Sequence, residues 1–126
     1  MIPLPSFRGG NRAMSSVDEE AGRSFLQNSD RLIQQVLTRL DLYDPDEIEA
    51  ESSEGVVKMT FADGTKCILN RQSAARQIWL AEGAKAWHFA WEASQARWVD
   101  TKGRGGLWSV LADILSRKLG RAIDLS

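Results

Sequence analysis

Cysteine, histidine and proline are scarce in this 126-residue chain, which has one Cys, one His and three Pro. A single thiol, Cys67, excludes an internal disulfide, a CxxC redox motif and a thiolate zinc site. The lone His88, without any Gly-rich phosphate loop, leaves no Ser–His–Asp arrangement of recognisable form and no imidazole cluster for a soft metal. No apolar run approaches the roughly 20 residues of a membrane-spanning helix. What remains is a length and composition typical of one soluble globular domain, long enough to bury a core without covalent staples.

Net charge is also nearly absent, with 16 basic against 17 acidic residues, but the balance hides a segregation. Residues 1–54 hold 11 acids and 5 bases, net −6, whereas residues 55–126 hold 6 acids and 11 bases, net +5. Seven of the acids fall between Asp41 and Glu54, a stretch with no Lys or Arg. Like charges gathered in one place are tolerated where they are fully solvated or where something cationic binds.

Periodicity gives the order of elements. Ser16-Val17-Asp18-Glu19 has the form of a capping box, and Phe25, Leu26, Leu32, Ile33, Val36, Leu37 and Leu40 then recur at helical spacing. Asp44-Pro45 ends that helix, because the residue before proline is pushed out of the helical region. Residues 1–15, with Pro3, Pro5, Gly9 and Gly10, read as a disordered extension, with Met14 a candidate alternative start, and residues 16–126 as a single domain. After Pro45 the period becomes 2. Ile48 and Ala50 face one way and Glu47, Glu49 and Glu51 the other, and Val57, Met59 and Phe61 continue the alternation beyond a turn. Asp63-Gly64 marks a hairpin into Cys67 and Leu69. Short apolar runs at 77–81, 87–91 and 97–99 follow, and Leu107, Leu111, Ile114, Leu115 and Leu119 restore a helical stripe that Gly120 closes.

Helix, about six tightly connected strands and helix make an α+β fold. Short connections imply an antiparallel sheet, and the N- and C-terminal helices can bury their stripes only on one face of it. The result is a two-layer α-β sandwich whose other sheet face is open. Asn70, Gln77 and Trp79 fall on that open face by alternation, with Ile68 beside them and Gln72 just beyond the strand end. A tryptophan there either anchors a protein contact or lies flat across its neighbours. His88 alternates with Trp87 and Phe89, so it reads as a solvated surface residue.

The acids are the other candidate site. Alternate strand residues stand roughly 6.6–7 Å apart, too far for Glu47, Glu49 and Glu51 to cage one ion. They can line a negative rail with Asp41 and Asp44. Such a rail suits weak, reversible binding of a hard cation, such as Fe²⁺, Fe³⁺, Mn²⁺ or Ca²⁺, or docking of an Arg/Lys-rich surface. A solvated face that only aids solubility is the plainer alternative.

At this point the residues resemble those of a known family. Gly64-Thr65-Lys66, Asn70-Arg71-Gln72 and Gln77-Ile78-Trp79-Leu80-Ala81, supported by His88-Phe89, Trp98 and Leu107-Trp108, are similar to the frataxin family and most closely to its bacterial, CyaY-like branch. The match runs from about Phe25 to Leu119. The resemblance implies the same sandwich and a non-enzymatic, iron-binding regulator of iron–sulfur cluster assembly. Iron (Fe²⁺ or Fe³⁺) would be held weakly by Asp41, Asp44, Asp46, Glu47, Glu49 and Glu51. The partners implied are the cysteine desulfurase and the iron–sulfur scaffold protein, met through the acids and through Asn70, Gln72, Gln77 and Trp79. The state expected is a monomer, with metal-dependent oligomers, in the bacterial cytoplasm (or the mitochondrial matrix if the source is eukaryotic), with no nucleic-acid or membrane partner. Two alternatives stay open, ferroxidase-type iron oxidation and storage, or a metal-free interaction adaptor. One departure stands out. The first helix offers Gln34 and Thr38 on its exposed face, and Leu42 where the family carries acids, so the ridge is thinned on the helix and kept in the loop and strand.

Overall fold

The computed structural model describes the backbone of residues 3–125 and the side chains of residues 16–125. Helix α1 (Pro3–Leu40) leads into strands β1 (Ile48–Ser53), β2 (Val56–Phe61), β3 (Lys66–Gln72), β4 (Gln77–Glu82), β5 (Lys85–Glu92) and β6 (Arg97–Asp100), and helix α2 (Leu107–Leu119) follows. All six strands form one antiparallel sheet in chain order. The expected two-layer α+β sandwich is therefore the fold.

The start of α1 differs from expectation. Its backbone is helical from Pro3 and passes through the Ser16 capping box without a break, so that box does not open the helix. Pro3 and Pro5 fall in the first turn, where a missing N–H costs nothing, and Gly9 and Gly10 cost a helix about 1 kcal/mol each relative to alanine without forbidding it. Met1 and Ile2 lie outside the described residues, as do the side chains of residues 3–15.

The core forms between the helices and one sheet face. Phe25, Leu32, Ile33, Val36 and Leu40 of α1 meet Val57, Met59, Phe61, Cys67, Leu69, Ile78, Leu80, Trp87, Phe89 and Trp98 of the sheet, with Leu107, Leu111, Ile114 and Leu115 of α2. Leu26 is the exception to the predicted stripe. It is exposed, because the helix turns Phe25 and Ser29 inward instead. Burial pushes the Cys67 thiol up to about 12, with the Glu82 charge adding to the effect, so the thiol stays protonated at neutral pH.

Polar residues at the ends of the inward-facing rows latch the helices onto the sheet. Arg71 of β3 donates to Asp30 and to Ser29 Oγ of α1. Arg76, in the β3–β4 turn, donates to the Asp18 carboxylate and carbonyl. Glu82 of β4 accepts from Arg117 of α2 at 2.8 Å. Glu54 and Gly55 both adopt positive φ in the two-residue turn joining β1 to β2, the pairing a tight right-twisted hairpin requires. A Cβ at Gly55 would stand 2.9 Å from Arg71 Nε, so the position is closed to side chains twice over.

Candidate functional site

The acidic stretch is fixed by the way α1 ends. After Leu40, Asp41 N–H donates to the Leu37 carbonyl, Leu42 N–H to Arg39 and Tyr43 N–H to Leu40, which tightens the last turn. Tyr43 packs against the core, so the chain is anchored in the middle of its own acids. Asp44 then organises the reversal. Its Oδ1 accepts the Asp46 N–H at 2.9 Å, and its carbonyl accepts the N–H groups of Glu47 and Ile48. This is the side-chain-to-backbone turn that Asp favours, with Pro45 holding the corner.

Six acids were expected to act alike, and the structure divides them. Glu47 is not part of β1; it sits in the turn before the strand and receives both arms of the Arg121 guanidinium from beyond α2. That bidentate pair holds the Glu47 carboxyl below its ordinary value, chiefly through the side-chain hydrogen bonds, with burial working the other way. Glu51 has Lys58 of β2 at 3.6 Å, opposite it in register. Asp44 spends one oxygen on its turn. Of these six, only Asp41, Asp46 and Glu49 have carboxylates with no hydrogen bond or ion pair among the described residues. Arg39, the nearest base in sequence, turns away and lies over the Trp108 ring at 4.2 Å.

The Glu47 pair carries a testable sign. Because its folded pKa is depressed, the stability it contributes is complete above the unfolded carboxylate value and is lost as pH falls through the folded one. Replacing Arg121 with alanine should therefore lower Tm at pH 7 by more than at pH 3, and an equal loss at both pH values would contradict the pairing.

No group of three or more His, Cys, Asp or Glu side chains among the described residues converges closely enough to hold an ion. Glu49 and Glu51 project from the same side of β1, roughly 7 Å apart. The geometry is an open, oxygen-only surface on a firm turn.

That surface runs into the open sheet face, because Glu49 and Glu51 share it. Asn70 lies directly opposite Trp79, and Gln72 opposite Gln77, so all four amide and indole residues form one half-buried patch across β3 and β4. The Trp79 indole N–H donates to Gln77 Oε1 at 2.8 Å. His88 completes the patch and corrects its reading as a free surface residue. It sits opposite Trp79, and the two rings stack at 4.2 Å with planes 11° apart. The signal was present in the sequence, since a two-residue turn at Gly83-Ala84 pairs position 79 with position 88.

A helix-flanked antiparallel sheet with one open face and an acidic turn beside its first strand is the architecture of the frataxin-like domain. The chain matches that family over residues 18–121 and belongs to it. The iron–sulfur cluster assembly protein CyaY of Thioalkalivibrio sulfidiphilus is 33% identical over 103 residues, covering 81% of this chain and 96% of the relative. CyaY of Delftia acidovorans is 29% identical over 107 residues, covering 82% and 96%. Among solved structures, the frataxin of Psychromonas ingrahamii superimposes with a TM-score of 0.75 at 20% identity, over 83% of this chain and 97% of its own. A trimeric frataxin from Saccharomyces cerevisiae, complexed with ferrous iron, gives 0.65 at 22% identity, over 75% and 87%. These two likenesses establish the fold.

Proposed function

We propose that this chain is a non-enzymatic regulator of iron–sulfur cluster assembly that carries labile iron and docks on the cysteine desulfurase–scaffold complex in a bacterial cytoplasm. Family membership and the assembly role in the names of its relatives support the pathway. The yeast homologue's ferrous complex supports iron as the cargo. The observation that carries the reading is the set of unpaired carboxylates at Asp41, Asp46 and Glu49, held on a firm turn and continuous with the open face that presents Trp79. Oxygen ligands without a cage suit a hard cation that must be released again. Ferroxidase chemistry needs two ions held close together, and no convergent acid cluster among the described residues favours it.

Titration with Fe²⁺ under anaerobic conditions, followed by amide NMR, tests the cargo claim. Paramagnetic broadening should spread from Asp41, Asp46 and Glu49, with the Arg121-paired Glu47 contributing least to affinity when replaced by glutamine. Broadening scattered over α2 or the β3–β6 turns would favour the metal-free adaptor instead.

A further inference from the structure

The two edges of the sheet are not alike. At β6 the outer edge is partly closed by the chain itself, through a bridge between Val99 and Gly106 and a hydrogen bond from Asp100 N–H to the Gly105 carbonyl. At β1 nothing among the described residues pairs with the outer edge. Which groups are left over follows from the ladder. Ala62 N–H donates to the Glu47 carbonyl, and bonded pairs alternate along an antiparallel ladder, so Glu49, Glu51 and Ser53 bond inward to Thr60, Lys58 and Val56. The N–H and C=O groups of Ala50 and Ser52, and the Ile48 carbonyl, therefore point outward without partners.

Beside this edge lies a groove of about 560 Å³ between β1 and the end of α1. Leu37, Leu40, Leu42, Tyr43, Ile48 and Ala50 give it apolar walls. Leu42 is 85% exposed, the most exposed large apolar side chain among the described residues. It stands where a purely electrostatic ridge would have another acid. An open strand edge, an apolar trough beneath it and carboxylates above it are three separate features of one place.

We infer that this edge receives an extended segment of the partner as a seventh strand, running antiparallel to β1 as every other neighbouring pair in the sheet does. The inference rests on the docking reading above and adds the segment's conformation and side-chain pattern. On an added strand, residues opposite Glu49 and Glu51 point to the open face, where Lys or Arg is favoured, because opposed unlike charges stabilise a strand pair and like charges destabilise it. Residues opposite Ala50 and Ser52 point to the helix side, where the one opposite Ala50 meets the groove and must be apolar. The recognised pattern is thus basic–apolar–basic over about five residues, held by main-chain bonds in the manner of strand addition. A second copy of this chain fits poorly as the occupant. Pairing β1 with β1 would set Glu49 and Glu51 against their own kind, a charge arrangement that guards an edge against self-association.

A fluorescein-labelled, end-blocked peptide Lys-Val-Lys-Val-Lys tests this on the full chain, with the same peptide carrying N-methyl groups on both valines as its control. The methylated peptide keeps every charge and side chain but cannot donate to the edge. Fluorescence polarisation should show it binding at least tenfold more weakly, as expected for losing two hydrogen bonds of about 1 kcal/mol each. Hydrogen exchange should slow at the Ala50 and Ser52 amides on adding the unmethylated peptide, and stay unchanged at Glu49 and Glu51, which are already bonded to β2. Equal affinity of the two peptides would overturn strand addition while leaving charge-driven docking standing. Absence of binding by either peptide would overturn the inference outright. Protection of Ala50 and Ser52 that rises with protein concentration alone would assign the edge to a second copy and overturn the partner named here.

Discussion

Reversing Asp41, Asp46 and Glu49 together to lysine should weaken binding to the cysteine desulfurase on the order of 100-fold at physiological salt while leaving Tm nearly unchanged. These three make no contact that the fold uses, so the substitution changes the surface field and little else. Three charges change sign at one face, a net shift of six units, and like-charge juxtaposition at an interface costs several kcal/mol, about 1.4 of them per tenfold in affinity. The effect should grow as salt is lowered, since exposed charges are screened beyond a Debye length of about 8–10 Å. Glu47 does not belong in this set. Its reversal would face Arg121 with a like charge and confound a docking defect with a folding one. Unchanged affinity in the triple variant, with the fold intact, would remove the charged turn from the contact.

The largest effect on stability is expected away from that surface, at Asp100. Its carboxylate is fully enclosed and accepts from the Lys102 and Arg104 N–H groups and from the Arg104 side chain, at 2.9–3.2 Å. Arg104 also reaches the Ala86 carbonyl, so one carboxylate fixes the loop between β6 and α2 against β5. Replacing Asp100 with alanine orphans two backbone donors at about 1–3 kcal/mol each, partly relieved by water, while Arg104 remains able to turn to solvent. The expected loss is about 2–3 kcal/mol, or on the order of 10 °C in Tm for a domain of this size. The Arg104 hydrogen bonds hold the Asp100 carboxyl below its usual range, so its contribution is complete at neutral pH and fades as the solution is acidified. Asp100→Ala should accordingly narrow the gap in Tm from wild type at low pH. A loss of no more than 1–2 °C at pH 7 would show that the loop is held by something else.

Much of the fold was legible because alternation and turn chemistry agree along the whole sheet. Ile48, Val57, Cys67, Ile78, Trp87 and Trp98 each face the core, as their spacing requires, and Gly120 caps α2 in the left-handed conformation. The start of α1 was not legible, since a capping box describes a local preference and cannot say whether a longer helix passes through it. Leu26 shows the same limit, as a stripe wide enough for both Phe25 and Leu26 leaves the choice of core residue to packing.

The site was read as a stretch of charge, and here the missing information was three-dimensional. Nothing in the order of residues brings Arg121 back across the sandwich to Glu47, or turns Arg39 from its acidic neighbours onto Trp108. Glu51 and Lys58 were closer to readable, because the Glu54-Gly55 turn sets them opposite each other. The stack of His88 on Trp79 is readable in the same way, because alternation places His88 outward and only the two-residue Gly83-Ala84 turn sets it opposite Trp79. The sequence-wide ridge contracts in the structure to three bare carboxylates, a shielded Glu51 and an exposed Leu42 beside a free edge.

Docking through the acidic turn and the open face is tested most directly by adding a cysteine desulfurase to the labelled chain and mapping amide exchange or chemical-shift changes residue by residue. Changes should concentrate between Asp41 and Ser52 and extend across the open face to Asn70, Trp79 and His88, with the outward face of α2 silent. Changes centred on α2, with residues 41–52 unaffected, would contradict it.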